Sequence, residues 1–113
     1  MRRAAVAVGW TLVALIVWLS LTPSPPTIDI EQGDKLGHAF AYANVMFWFA
    51  QLYLRAAVRL RYALGFIALG VALEFIQAQV GRDFEVADMA ADAIGVALGW
   101  AGAILLKLPL RNL

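Results

Sequence analysis

The sequence predicts an all-α integral membrane protein: a single up-and-down four-helix bundle over residues 1–113, with both termini cytoplasmic. Three observations predict it, namely the composition, the lengths of the apolar runs and the sidedness of the charges. Of the 113 residues, 63% are hydrophobic and 15% charged, whereas soluble chains run at about 45–50% apolar and about 25% charged. So short a chain has too little interior to hide that excess from water. The mean hydropathy of +0.76 makes lipid the fitting solvent. The same balance excludes disorder, and the lack of Cys excludes a disulfide scaffold and a thiolate zinc site.

A hydrocarbon core about 30 Å thick needs about 20 mostly apolar helical residues, and four runs approach that length. The first, residues 4–21, contains no charge. Its basic start at Arg2 and Arg3 also suits a cleaved signal peptide. The run is longer than the about 7–15 residues of such a segment, and no A-x-A site follows, so it is read as a retained span. The prolines of TPSPP (22–26) end it, because proline lacks the amide hydrogen and clashes with the preceding turn. The second run, 36–54, has His38 as its only ionisable residue besides tyrosines. The third, 62–80, holds Glu74, and the fourth, 89–106, holds Asp92.

The connectors set the orientation. With a cytoplasmic N-terminus, one side receives Arg2, Arg3, Arg55, Arg59, Arg61, Lys107 and Arg111, and the other receives Lys35 and Arg82. Basic residues in short loops mark the cytoplasmic side. The acids divide oppositely, with Asp29, Glu31, Asp34, Asp83, Glu85 and Asp88 in or beside the two outer loops. The basic connector RAAVRLR (55–61) has no interleaved aromatics and suits anionic lipid headgroups, so no nucleic-acid partner is expected.

Helical spacing gathers the polar residues into stripes. Asp34, His38 and Tyr42 form one on the second span; Gly70, Glu74, Gln77 and Gly81 form one on the third; Asp88, Asp92, Gly95, Gly99 and Gly102 form one on the fourth. Glu74 lies about 9 Å from the outer end of its span at 1.5 Å per residue. Antiparallel packing of sequence neighbours therefore brings the three stripes together at the outer mouth, with Lys35 and Arg82 within reach.

Ionisable groups inside a span cost about 2.5–3.5 kcal/mol each and need a reason. One reading makes them hydrogen-bond glue between helices, with Gly95, Gly99 and Gly102 as the small-residue packing face. The other makes the mouth a binding or reaction site. No Cys is present, and Ser20 and Ser24 have no nearby base. Carboxylate–histidine acid–base chemistry is then the only enzymatic route, with His38, Glu74 and Asp88 as candidates. His38 with Asp34, Glu74 and Asp92 offers imidazole and carboxylate ligands that suit a divalent cation, but no HExxH-like pair is present, so no metal or cofactor is assigned.

The run DKLGHAFAY (34–42) resembles the DKxxHxxxY segment of the VanZ-like membrane protein family. LEFIQAQVGRDFEVADMAADAIGVALG (73–99) is similar to that family's second signature, in which Glu and Gln close one helix and Asp opens a glycine-studded one. LSLTPSPP (19–26) resembles its exit from the first helix. The resemblance covers nearly the whole chain. It implies a small multi-pass protein of the bacterial inner membrane and cell envelope, in a family whose naming member is linked to low-level lipoglycopeptide antibiotic resistance. No activity comes with it. The family's polar positions match Asp34, Lys35, His38, Tyr42, Glu74, Gln77, Arg82, Asp88 and Gly95; at Asp92 the family more usually carries Asn.

The expected function is binding of a lipid, a lipid-linked precursor or an amphiphilic, lipoglycopeptide-type compound at the outer mouth. Lys35 and Arg82 would meet phosphate, while Asp34, His38, Tyr42, Glu74, Gln77, Asp88 and Asp92 line the pocket. The alternatives are an enzyme acting on a lipid-linked substrate, or a structural bundle forming a homo-oligomer through its glycine face. Membrane lipids are partners in all three.

Overall fold

The computed structural model describes residues 1–22, 33–81 and 84–112. Pro23–Pro26 of the expected break, the acids Asp29, Glu31 and Asp83, and the basic Arg82 lie outside the described residues. Among the described residues the chain is all helical and without strands: α1 (Arg2–Leu21), α2 (Gly33–Leu52), α3 (Ala56–Gln79), α4 (Val86–Leu105) and a closing 3₁₀ turn, Pro109–Asn112.

Contacts along the helices set the topology. Gly95 packs on Ala39, Gly99 on Ala43 and Gly102 near Phe47, so α2 and α4 run parallel. Trp48 Nε1 donates to the Ala5 carbonyl (2.7 Å) and Arg2 Nη2 to that of Leu52 (2.9 Å), which makes α1 antiparallel to α2. At the other end Gln77 Nε2 donates to the Ser20 carbonyl (2.8 Å), aligning the ends of α1 and α3. The order is up, down, up, down. One end of the bundle is basic and the other acidic.

Helices α1, α3 and α4 are long and apolar enough to cross a membrane. Helix α2 is less apolar than the sequence reading of 36–54 expected. It begins at Gly33, which brings Asp34 and Lys35 into its first turn, and it carries His38, Asn44 and Gln51. It touches all three other helices, and His38, Tyr42 and Gln51 turn inward. Its polarity is thus screened by apolar neighbours.

The third helix also starts earlier than the apolar run, at Ala56, because Ala, Arg and Leu are all strong helix formers and no breaker intervenes. Its first turns place Arg59 beneath the end of α2. Arg59 Nε and Nη2 donate to the Ala50 carbonyl (3.1 and 2.6 Å), and Nε also to that of Tyr53 (3.0 Å). Cations suit the exposed carbonyls of a helix C-terminus. Gln51 works similarly on the chain end: Nε2 donates to the Leu106 carbonyl (2.6 Å), while Oε1 accepts from Leu108 N (3.1 Å) and Arg111 Nε (2.8 Å).

The basic half of the core centres on Phe49, fully buried between Trp10, Tyr62 and Phe66, with ring centroids at 5.3, 4.7 and 5.5 Å. Gly9 makes room for it, since a Cβ there would stand 2.8 Å from Phe49 Cζ. Between α2 and α4 the approach is closest at Gly95 and Gly99, where an added Cβ would run into the carbonyl oxygens of Ala39 and Ala43. That contact holds the acidic N-terminal turns of both helices side by side.

Candidate functional site

The parallel pairing of α2 and α4 puts Asp34, Lys35 and His38 beside Glu85, Asp88 and Asp92. Lys35 Nζ sits among three carboxylates, at 3.0 Å from Asp34 Oδ2, 3.2 Å from Glu85 Oε2 and 3.5 Å from Asp88 Oδ1. One turn deeper, His38 Nδ1 pairs with Asp92 Oδ1 at 2.8 Å, and Nε2 faces Asp88 Oδ2 at 3.7 Å. The second distance is too long for a hydrogen bond, so Nε2 is the ring nitrogen available to an incoming group.

The third wall is α3. Gly70 lets Asp92 lie flat against it, since a Cβ there would stand 2.6 Å from Asp92 Oδ2. Four residues on, Glu74 rises on the same face. Its Oε1 accepts a hydrogen bond from the Glu85 backbone N–H at 2.6 Å, which ties the start of α4 to α3. Among the described residues its Oε2 has no hydrogen-bond partner, although Glu74 is only 1% exposed. Asp88 Oδ1 is likewise buried without a hydrogen bond among the described residues, 3.5 Å from the Lys35 ammonium. An unsatisfied buried acceptor costs about 1–3 kcal/mol, and more when charged, so two in one place make this end of the bundle the candidate functional site.

Exposure falls steadily inward. The side chains of Asp34 and Glu85 are 46% and 41% exposed, His38 18%, Asp88 8% and Asp92 3%. Tyr42 closes the bottom, buried and within electrostatic reach of Asp92 and Glu74. Below it come Val45, Met46 and Phe49. The polar column therefore ends on an apolar floor among the described residues.

Among the described residues, five carboxylates (Asp34, Glu74, Glu85, Asp88, Asp92) share this end with Lys35 and His38. Lys35, expected to meet phosphate, is instead engaged by three acids. Oxygens of Asp34, Glu85 and Asp88 lie within 4.8 Å of one another, a spacing that suits a metal ion. Lys35 already stands on all three, so its ammonium fills the role of the cation. The set that sequence spacing offered to a metal (His38, Asp34, Glu74, Asp92) is not the one gathered in this way.

Gln77, expected in the pocket, is spent on the Ser20 carbonyl. Arg82 lies outside the described residues. Gly95 and Gly99, the glycine face offered to a partner chain, are covered by α2 of the same chain, and Gly102 faces Phe47 at ordinary contact distance, 3.5 Å. Glu85 was missed by sequence reasoning as a site residue. Its one signal was lying three residues before Asp88, hence on the same face of the coming helix.

No protein-family model matches this chain, and no curated protein or solved structure shows significant similarity to it.

Proposed function

We propose that the chain is a multi-pass protein of the bacterial inner membrane and cell envelope whose acidic end binds the headgroup of an amphiphile: a lipid, a lipid-linked precursor or a lipoglycopeptide-type compound. Membrane residence is supported by three spanning-length apolar helices and by outward-facing Trp18 and Phe40, 61% and 72% exposed. Contiguous apolar surface of this kind is rare on soluble monomers. The long dimension of 43 Å fits a bilayer of about 40–45 Å including headgroups. The charge bias supports placing the basic end in the cytoplasm and the acidic end outside. The VanZ-like resemblance of 34–42 and 73–99 supports the same family and setting.

The observation that carries the binding reading is the buried Oε2 of Glu74, unpartnered among the described residues, in a cluster where the described acids outnumber the described cations. Such a pocket wants hydrogen-bond donors and positive charge, so the entering group is an ammonium, an amide or a sugar hydroxyl rather than a phosphate. The test is titration of the solubilised protein with dodecylamine and, separately, with dodecyl phosphate. Binding of the amine at least tenfold tighter, lost in Glu74→Gln, supports the reading. Equal binding of both, or an unchanged Glu74→Gln, contradicts it.

A second reading is favoured by one observation. His38 is held through Nδ1 by Asp92 while Nε2 stays open beside Asp88, the arrangement a general base needs. On that reading His38 moves a proton on the bound headgroup, with Asp88 or Glu74 as its partner. Product formed from a lipid-linked substrate, abolished by His38→Gln, distinguishes the enzyme from the binder.

A further inference from the structure

Toward the opposite end, α1 and α3 flank an apolar groove of about 600 Å³ that shares no lining residue with the polar cluster. Trp10 and Val13 of α1, with Gly65, Phe66 and Leu69 of α3, form its walls. Tyr53 and Tyr62, stacked at 5.0 Å, stand toward the basic end beside Arg61. The Arg61 guanidinium is exposed and has no ion pair or hydrogen bond among the described residues. Its neighbours in sequence or space at this end are Arg2, Arg3, Arg55 and Arg59, and none of the chain's acids lies nearby in sequence.

We infer that this groove holds one acyl chain of an anionic phospholipid from the cytoplasmic leaflet, with the phosphate on Arg61. Length and charge together choose the occupant. From Val58 to Leu69 the groove follows α3 for about 16 Å at 1.5 Å per residue, which matches the about 15 Å depth of half a 30 Å hydrocarbon core. Arg61 lines the groove and Arg2 lies over the Tyr53 ring at 5.2 Å, and basic residues at this level attract anionic headgroups. Aromatic rings with polar tips flank the headgroup level, where Tyr and Trp are favoured. Gly65 leaves the groove open, because nothing lies within 4 Å of the Cβ it lacks.

This inference rests on the membrane reading, and its test separates the two. The full chain is inserted into bilayers of phosphatidylcholine with one-tenth phosphatidylglycerol and extracted gently, and the lipid retained per chain is measured by native mass spectrometry. Wild type is expected to retain phosphatidylglycerol at least tenfold above its share of the bilayer. Arg61→Gln, which removes the charge, and Gly65→Leu, which fills the groove, are expected to cut that enrichment at least fivefold. Lys107→Gln, a basic change away from the groove, should leave it intact. Absence of enrichment in wild type, equal loss in Lys107→Gln, or a dimer burying the groove overturns the inference while leaving membrane residence standing. Failure of the chain to insert into this bilayer overturns both.

Discussion

His38 Nδ1 and Asp92 Oδ1 lie 2.8 Å apart across the closest helix pair in the molecule. Asp92 rests on Gly70 of a third helix, so one hydrogen-bonded contact joins α2, α3 and α4. Removing the imidazole leaves Asp88 and Asp92 buried without their shared partner. His38→Ala is therefore expected to destabilise the fold by about 3 kcal/mol, as breaking one side of a buried pair does. Asp92→Asn keeps an oxygen for His38 and should stay within about 1 kcal/mol of wild type. Thermal unfolding in detergent ranks the two.

The glycines of α4 are not equivalent. Gly95→Ala and Gly99→Ala drive a methyl into the backbone carbonyls of Ala39 and Ala43, which cannot rotate away. Each should cost about 1–3 kcal/mol, the usual penalty of overpacking. Gly102→Ala meets only ordinary contact with Phe47 and gains about 0.5–1 kcal/mol of helix propensity. The opposite signs are readable in one set of melting curves.

Gln51 is fully buried and holds the chain end by three hydrogen bonds. Gln51→Leu keeps the bulk and removes all three, at an expected cost of about 1–3 kcal/mol. Hydrogen exchange should then quicken selectively over residues 106–112, leaving the acidic end protected. Uniform loss of protection would mean that Gln51 supports the whole core.

Glu74→Gln separates stability from binding. The amide oxygen still accepts from the Glu85 N–H, and one buried charge disappears, so the fold should be as stable as wild type or more so. Amine binding should fall at least tenfold. A variant that loses stability and binding in parallel would reduce Glu74 to a packing element.

The helices were legible because apolar runs of membrane length leave few other solutions, and the polar stripes because a period near 3.6 puts fourth neighbours on one face. Helix ends were less legible. The start of α3 at Ala56 is set by propensity in charged residues that a hydropathy window rejects, and α2 takes in Asp34 because an acid suits the first turn of a helix. The roles of individual polar residues were the least legible. Gln77 and Gln51 both sit in apolar surroundings, and only the tertiary fold decides that each is spent on a carbonyl of another segment. Lys35 looked free for phosphate because nothing local shows that Glu85 and Asp88 arrive around it from fifty residues away.

The central claim is that a donor group docks on the free oxygen of Glu74. Solid-state NMR on the protein in bilayers, with ¹⁵N-labelled dodecylamine and ¹³C-labelled glutamate, measures it directly. The account predicts dipolar contact between the amine and the Glu74 carboxylate, corresponding to about 3 Å from nitrogen to oxygen, and loss of that contact in Glu74→Gln. Bound amine with no contact to Glu74, or a contact that survives the substitution, would contradict it.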